Sequence, residues 1–108
     1  EAVLLAVRSW ASTEVLGHSG LARLGIFGSM ARGDWGVGSD LDLIAIVQEA
    51  NERFDQRSLS WDLLALPVPT ELLVYTVSEW SGMRDEGARF VRTVEGEAIW
   101  LFEAGESM

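Results

Sequence analysis

Apolar residues recur along this chain in two different periods. From Ala2 to Val15, Val3, Val7, Trp10 and Glu14 fall at helical spacing, with Leu4 and Ala6 flanking the apolar side, which predicts a first helix. Gly17-His18-Ser19-Gly20 interrupts it, and a short apolar run ending in Leu24-Gly25-Ile26-Phe27 predicts a strand. A second run, Leu41-Asp42-Leu43-Ile44-Ala45-Ile46-Val47, is β-branched and apolar enough for a mostly buried strand. A polar stretch follows, and then an expected helix with Phe54, Trp61 and Leu64 on one face. Pro67-Val68-Pro69 breaks the chain before a third strand over Thr70–Thr76. Ser78 as N-cap and Glu79 in the first turn predict a helix that carries Trp80, Met83, Phe90 and Val94 as far as Gly96. Ala98-Ile99-Trp100-Leu101-Phe102 reads as a last strand. Helix and strand thus alternate, and an α/β (α+β) two-layer domain with a mixed sheet is expected.

Composition narrows the functional classes. At 108 residues and 48% hydrophobic content, the chain can build one core, and no repeat, linker or composition shift divides residues 1–108. Seventeen acidic residues stand against eight basic ones, a net charge of −9. Nucleic-acid binders need basic surface to neutralise phosphates, and no Lys/Arg cluster is present. No apolar run approaches the roughly 18 residues of a spanning helix. Zero cysteines exclude disulfides and thiolate metal sites. No signal-peptide pattern is visible at the Glu1 end, and a cytoplasmic protein is expected.

The segment between the first two strands carries the chemistry. It reads Gly28-Ser29-Met30-Ala31-Arg32-Gly33-Asp34-Trp35-Gly36-Val37-Gly38-Ser39-Asp40-Leu41-Asp42. Gly28 lets backbone approach a phosphate closely and allows positive φ. Ser29 adds a hydroxyl, and Met30-Ala31-Arg32 can begin a helical turn whose free N–H groups attract anions. Arg32 supplies a guanidinium suited to phosphate oxygens. Asp40 and Asp42, two residues apart at a strand end, project to one face. Two such anions repel unless a cation compensates them, and Mg²⁺ in phosphoryl-transfer sites is held by one or two carboxylates plus phosphates. Turn formation and a solvated strand end are the bland readings of each residue singly; the order and spacing of all of them favour nucleotide chemistry.

Gly28-Ser29, Ala31-Arg32-Gly33, Ser39-Asp40 and Asp42-Leu43 resemble the signature of the nucleotidyltransferase superfamily that includes DNA polymerase beta. The nearest branch by resemblance is the minimal nucleotidyltransferases, which hold little beyond the catalytic core. No Gly-Lys-Ser/Thr follows the glycines, so this is not a Walker A loop. The resemblance implies in-line attack of a hydroxyl on the α-phosphate of a nucleoside triphosphate, with ATP the expected nucleotide. Two Mg²⁺ ions are implied, held by Asp40, Asp42 and a third carboxylate on a neighbouring strand. Glu71 stands where similar proteins carry Asp; it either completes the triad and draws the acceptor's proton or is a surface glutamate at a strand start. Gly28, Ser29 and Arg32 would bind the nucleotide, while Ser39 touches phosphate or shapes the turn before Asp40.

Minimal nucleotidyltransferases often pair with a small helical HEPN protein, a ribonuclease toxin, and act as its antitoxin by placing AMP on a toxin tyrosine. The resemblance therefore implies protein adenylylation, with an acidic antitoxin facing a basic nuclease. The alternative is an inactive nucleotide-binding module that neutralises its partner by occlusion. Outside the motif, His18 is expected in an exposed turn, and Trp10, Trp61, Trp80 and Trp100 are expected to pack. Trp35 has two readings, covering the base or a partner, or turn packing.

Overall fold

The computed structural model describes residues 2–34, 36 and 38–104; Trp35, to which a role over the nucleotide base was open, lies outside them. In chain order the elements are α1 (Ala2–Gly17), β1 (Leu21–Phe27), α2 (Ser29–Arg32), β2 (Leu41–Val47), two 3₁₀ segments (Phe54–Ser60 and Leu63–Ala65), β3 (Thr70–Thr76), α3 (Val77–Asp85), α4 (Arg89–Glu97) and β4 (Ile99–Glu103). The four strands form one mixed sheet in the order β3-β2-β1-β4. β1 runs antiparallel to both its neighbours, and β2 pairs in parallel with β3. The expected α/β (α+β) domain with a mixed sheet and flanking helices is therefore the observed one, although helices cover both faces of the sheet rather than one.

Alternation along the strands divides the sheet's contacts between two layers. Leu24, Ile26, Leu41, Leu43, Ala45, Leu72 and Val74 face one core, which α1 covers with Val7, Trp10 and Ala11 and the 3₁₀ region with Trp61 and Leu66. Ile44 and Ile46 face the other, under Trp80 of α3 and Val91 and Val94 of α4. Leu43 and Ile44, adjacent in sequence, are both fully buried, so β2 is enclosed on both sides. Cutting such a side chain to Ala costs about 2–5 kcal/mol. Four tryptophans pack as expected, three of them buried, with Trp100 half-buried beneath the Arg23 guanidinium at 3.7 Å.

Residues 54–66 do not form the expected helix. Trp61 is extended and buried, Phe54 is partly exposed and Leu64 stands 98% exposed, so the three share no face. Tertiary contacts override the periodicity here. Arg57 reaches the Val74 carbonyl at 3.1 Å and grips Glu79 with two bonds of 2.7 and 3.0 Å. Trp61 meanwhile inserts beside Trp10, whose indole N–H donates to the Asp62 carbonyl at 2.8 Å. His18 is likewise not the exposed turn residue expected. Its ring stacks on Trp61 at 3.7 Å and shares a 3.3 Å hydrogen bond with Glu14.

The single helix expected over 78–96 is two. Gly87 adopts φ +76, its N–H donates to the Arg84 carbonyl and that of Ala88 to the Met83 carbonyl. This is a Schellman stop, and it ends α3 in favour of a redirected α4. The N-cap is Thr76 rather than Ser78. Its hydroxyl accepts from the Glu79 N–H at 3.0 Å while the Glu79 carboxylate accepts from the Thr76 N–H at 2.9 Å, a reciprocal capping box.

The Glu79 carboxyl is held down to about 2 from its ordinary 4.5, first by its hydrogen bond from Arg57 and also by those from Thr76. A depressed folded-state value contributes stability that is present above pH 4.5 and lost as pH falls through about 2. The side chain is 43% exposed, so solvent screening limits the gain to about 1 kcal/mol. Urea unfolding across pH should show Glu79→Gln less stable than wild type at neutral pH, with the difference closing between pH 4.5 and about 2.

Candidate active site

The residues singled out in 28–42 converge at the end of the sheet where β1 finishes and β2 begins. Phe27 is the register partner of Asp42, so the residue after it, Gly28, passes directly over that carboxylate. Gly28 is buried with φ +78 and ψ −153, a region that L side chains rarely adopt. A Cβ placed there would overlap the Asp42 Oδ2 atom. Glycine is thus required twice, for conformation and for contact. Beyond it the chain makes one helical turn, Ser29–Arg32, closed by the Arg32 N–H on the Gly28 carbonyl at 3.1 Å and by a left-handed Gly33.

Asp42 and Glu71 are register partners across the parallel β2–β3 pair, so their side chains leave the same face on neighbouring strands. Asp40 precedes β2 and is exposed, as is Glu71. The Asp42 carboxyl is pushed above the ordinary carboxylate range, chiefly by burial and then by the charges of Glu71 and Asp40; Glu97 adds to the rise, and only Arg32 opposes it. Three acids and one arginine therefore share one electrostatic neighbourhood with Asp42. Among the described residues no three acidic or histidine side chains form a ready-made metal cage. The donor set fits a different arrangement, in which a divalent cation sits on Asp42 with Asp40 or Glu71 and takes its remaining oxygens from phosphate. Such a cation would relieve the repulsion that the fold imposes on Asp42.

The residues expected to meet phosphate lie around this turn. Arg32 is half exposed, 3.6 Å from Asp34 and 3.5 Å from Glu97. Ser29 opens α2 beside Gly28 and is half-buried. Ser39 accepts a hydrogen bond from the Gly36 N–H at 3.2 Å, and its own N–H donates to the Gly36 carbonyl, so it shapes the turn before Asp40. Glu97 was not foreseen. The last residue of α4, it accepts the Gly28 N–H at 2.7 Å from 69 positions away in sequence. No local pattern signals it, because only the return of α4 to the sheet end places it there.

The site lies on an open sheet end. A groove of about 350 Å³ between α1 and β4, lined by residues including Arg8, Val15 and Phe102, contains none of the carboxylates. Among the described residues no helix is long and apolar enough to cross a membrane.

The sequence profile of the nucleotidyltransferase domain matches residues 9–101. A presumptive nucleotidyltransferase from Sulfolobus solfataricus, known by crystal structure, superposes with a TM-score of 0.67. The match covers 97% of this chain and 84% of that one at 18% identity, a likeness of fold. No curated protein matches the sequence significantly.

Two substitutions should shift stability in opposite directions. Gly28→Ala must force Asp42 aside and hold a Cβ at positive φ, at a cost of about 1–3 kcal/mol. Asp42→Asn keeps the shape and removes the repelled charge, and should stabilise the free protein by up to about 1 kcal/mol. Thermal unfolding of both variants beside wild type at neutral pH checks the pair.

Proposed function

The chain belongs to the nucleotidyltransferase-domain family, and from that premise we propose that it transfers AMP from ATP to a hydroxyl carried by a partner protein. The observation that carries the reading is the contact of Gly28 with Asp42, which sets a phosphate-binding backbone turn against the carboxylate pair Asp42 and Glu71. The acceptor oxygen forms a bond to the α-phosphorus as the bond to the β-phosphate oxygen breaks and pyrophosphate leaves. Asp42 and Asp40 hold the divalent cation, with Mg²⁺ the simplest choice, and when bound it neutralises charge on the phosphate oxygens. Gly28, Ser29 and Arg32 orient the β- and γ-phosphates. Glu71, exposed beside Asp42, contributes to cation binding and accepts the acceptor's proton.

Two features support a protein-borne acceptor. Asp40 and Glu71 stand exposed at the sheet end, so a bulky partner can present a side chain to them. Three of the eight arginines are paired with acids and lend little field toward nucleic acid. Arg23 is committed to Glu95, Arg57 to Glu79 and Arg53 to Asp55, within a chain of net charge −9. An acidic surface of this kind suits a basic partner. A helical HEPN-type toxin, modified on tyrosine, is the partner that the sequence resemblance implies, and this protein would then serve as its antitoxin.

Replacement of the usual third Asp by Glu71 sustains a second reading, neutralisation of the partner by occlusion without transfer. Incubation with Mg²⁺, α-labelled ATP and host extract separates the two. Wild type should label a protein band, and Asp42→Asn should lower the labelling rate at least about a hundredfold. Neutralisation that survives Asp40→Asn and Asp42→Asn without any labelling would establish occlusion instead.

A further inference from the structure

Glu97 occupies the place that the proposed function gives to a phosphate. Its Oε2 atom takes the Gly28 N–H at 2.7 Å, and its Oε1 atom lies 3.5 Å from Arg32 Nη1. These are the backbone donor and the guanidinium that would otherwise meet phosphate oxygens. The carboxylate is 16% exposed while Arg32 is 50% exposed, so Glu97 is seated in the cradle and Arg32 reaches over it from outside. Its charge also falls on Asp42. A carboxylate and a phosphate present the same kind of acceptor oxygens to an N–H and a guanidinium, and both cannot hold one donor at once.

We infer that Glu97 is an internal competitor for the phosphate cradle, and that nucleotide enters by displacing it. The inference rests on the reading of Gly28 and Arg32 as phosphate donors and adds a selectivity device to it. An entering anion must replace one short charge-assisted bond and one long ion pair. A triphosphate does so with several oxygens and more than one charge, whereas a singly charged anion gains little over the carboxylate it evicts. Glu97 therefore makes the cradle selective for polyphosphates. Its place at the end of α4, separated from the following strand by Ala98 alone, also ties occupancy of the cradle to the α4–β4 junction.

Calorimetric titration of wild type, Glu97→Gln and Glu97→Ala with Mg·ATP and with inorganic tripolyphosphate tests this, beside the ¹⁵N spectrum of the Gly28 amide. Both variants should bind both probes about tenfold more tightly or better, the scale of one charge-assisted hydrogen bond. The Gly28 resonance of wild type should move on tripolyphosphate addition, and unliganded Glu97→Ala, which removes the acceptor, should already show it shifted. Equal or weaker binding by the variants, with wild type still binding ATP, overturns the competitor role and leaves the nucleotide reading standing. Failure of wild type and both variants to bind either probe overturns both. Should Glu97→Ala fold poorly, Glu97→Gln, which keeps the shape and the acceptor but loses the charge, tests the competition through the two affinities: no gain over wild type overturns it.

Discussion

At the end of β1 the backbone turns through a left-handed Gly28 and lies against the carboxylate of Asp42 with no room for a single additional carbon. Most of what this protein can do depends on that approach. It needs β1 and β2 to be antiparallel neighbours in the register that pairs Phe27 with Asp42. It also needs β3 parallel to β2, so that Glu71 rises beside Asp42. A slip of one residue in either pairing would turn these side chains to the opposite face. Register is protected because the same strands carry Leu43 and Ile44 into two cores, and neither core tolerates the slip.

Gathering acids at one sheet end works against stability, and the rest of the molecule offsets it. Asp42 is both partly desolvated and surrounded by like charge. The arginines that could have neutralised it are spent elsewhere. Arg23 bridges to Glu95, which also accepts from the Trp80 indole at 2.9 Å, and Arg57 fastens the first 3₁₀ segment to the β3–α3 junction. Structural arginines thus carry depressed carboxyls in Glu79 and Glu95, while Asp42 is left with only Arg32 against several acids. This division separates paired acids that hold the fold from an underpaired acid available to a cation.

The legible parts of the sequence were those where function and structure share a short stretch of chain. The meeting of Gly28 with Asp42 could be read because the glycine turn and both aspartates lie within fifteen consecutive residues, from the end of β1 to the start of β2, and Thr70–Thr76 because a proline breaker sets its start. The first helix and the strands needed only local periodicity. Residues 54–66 could not be read this way, since Arg57 and Trp61 are placed by partners in β3, α3 and α1. The break at Gly87 had a visible signal in Glu86-Gly87, but Met83, Phe90 and Val94 continue an apolar stripe across it. The capping box was equally visible as Thr76-Val77-Ser78-Glu79, where the nearer serine drew the assignment. His18 owes its burial to Trp61 far along the chain, and Glu97 owes its place to the path of α4.

An acidic protein that handles a polyanion needs a rule for when the polyanion enters. Most of the net charge of −9 would repel a nucleoside triphosphate, and the site's own acids add to that field. On the proposed reading, attraction falls to a few donors, the Gly28 N–H, the N–H groups opening α2, and Arg32. Glu97 already holds the first of these at 2.7 Å and reaches toward the last. On that reading, entry is therefore favourable for a ligand with enough oxygens to outbid a carboxylate, as a triphosphate has, and a cation carried with it would ease the repulsion from the site's acids. The positive-φ glycine, the crowded aspartate and the seated glutamate are in this sense one device, built by bringing the end of β1, the start of β2 and the end of α4 to a single point.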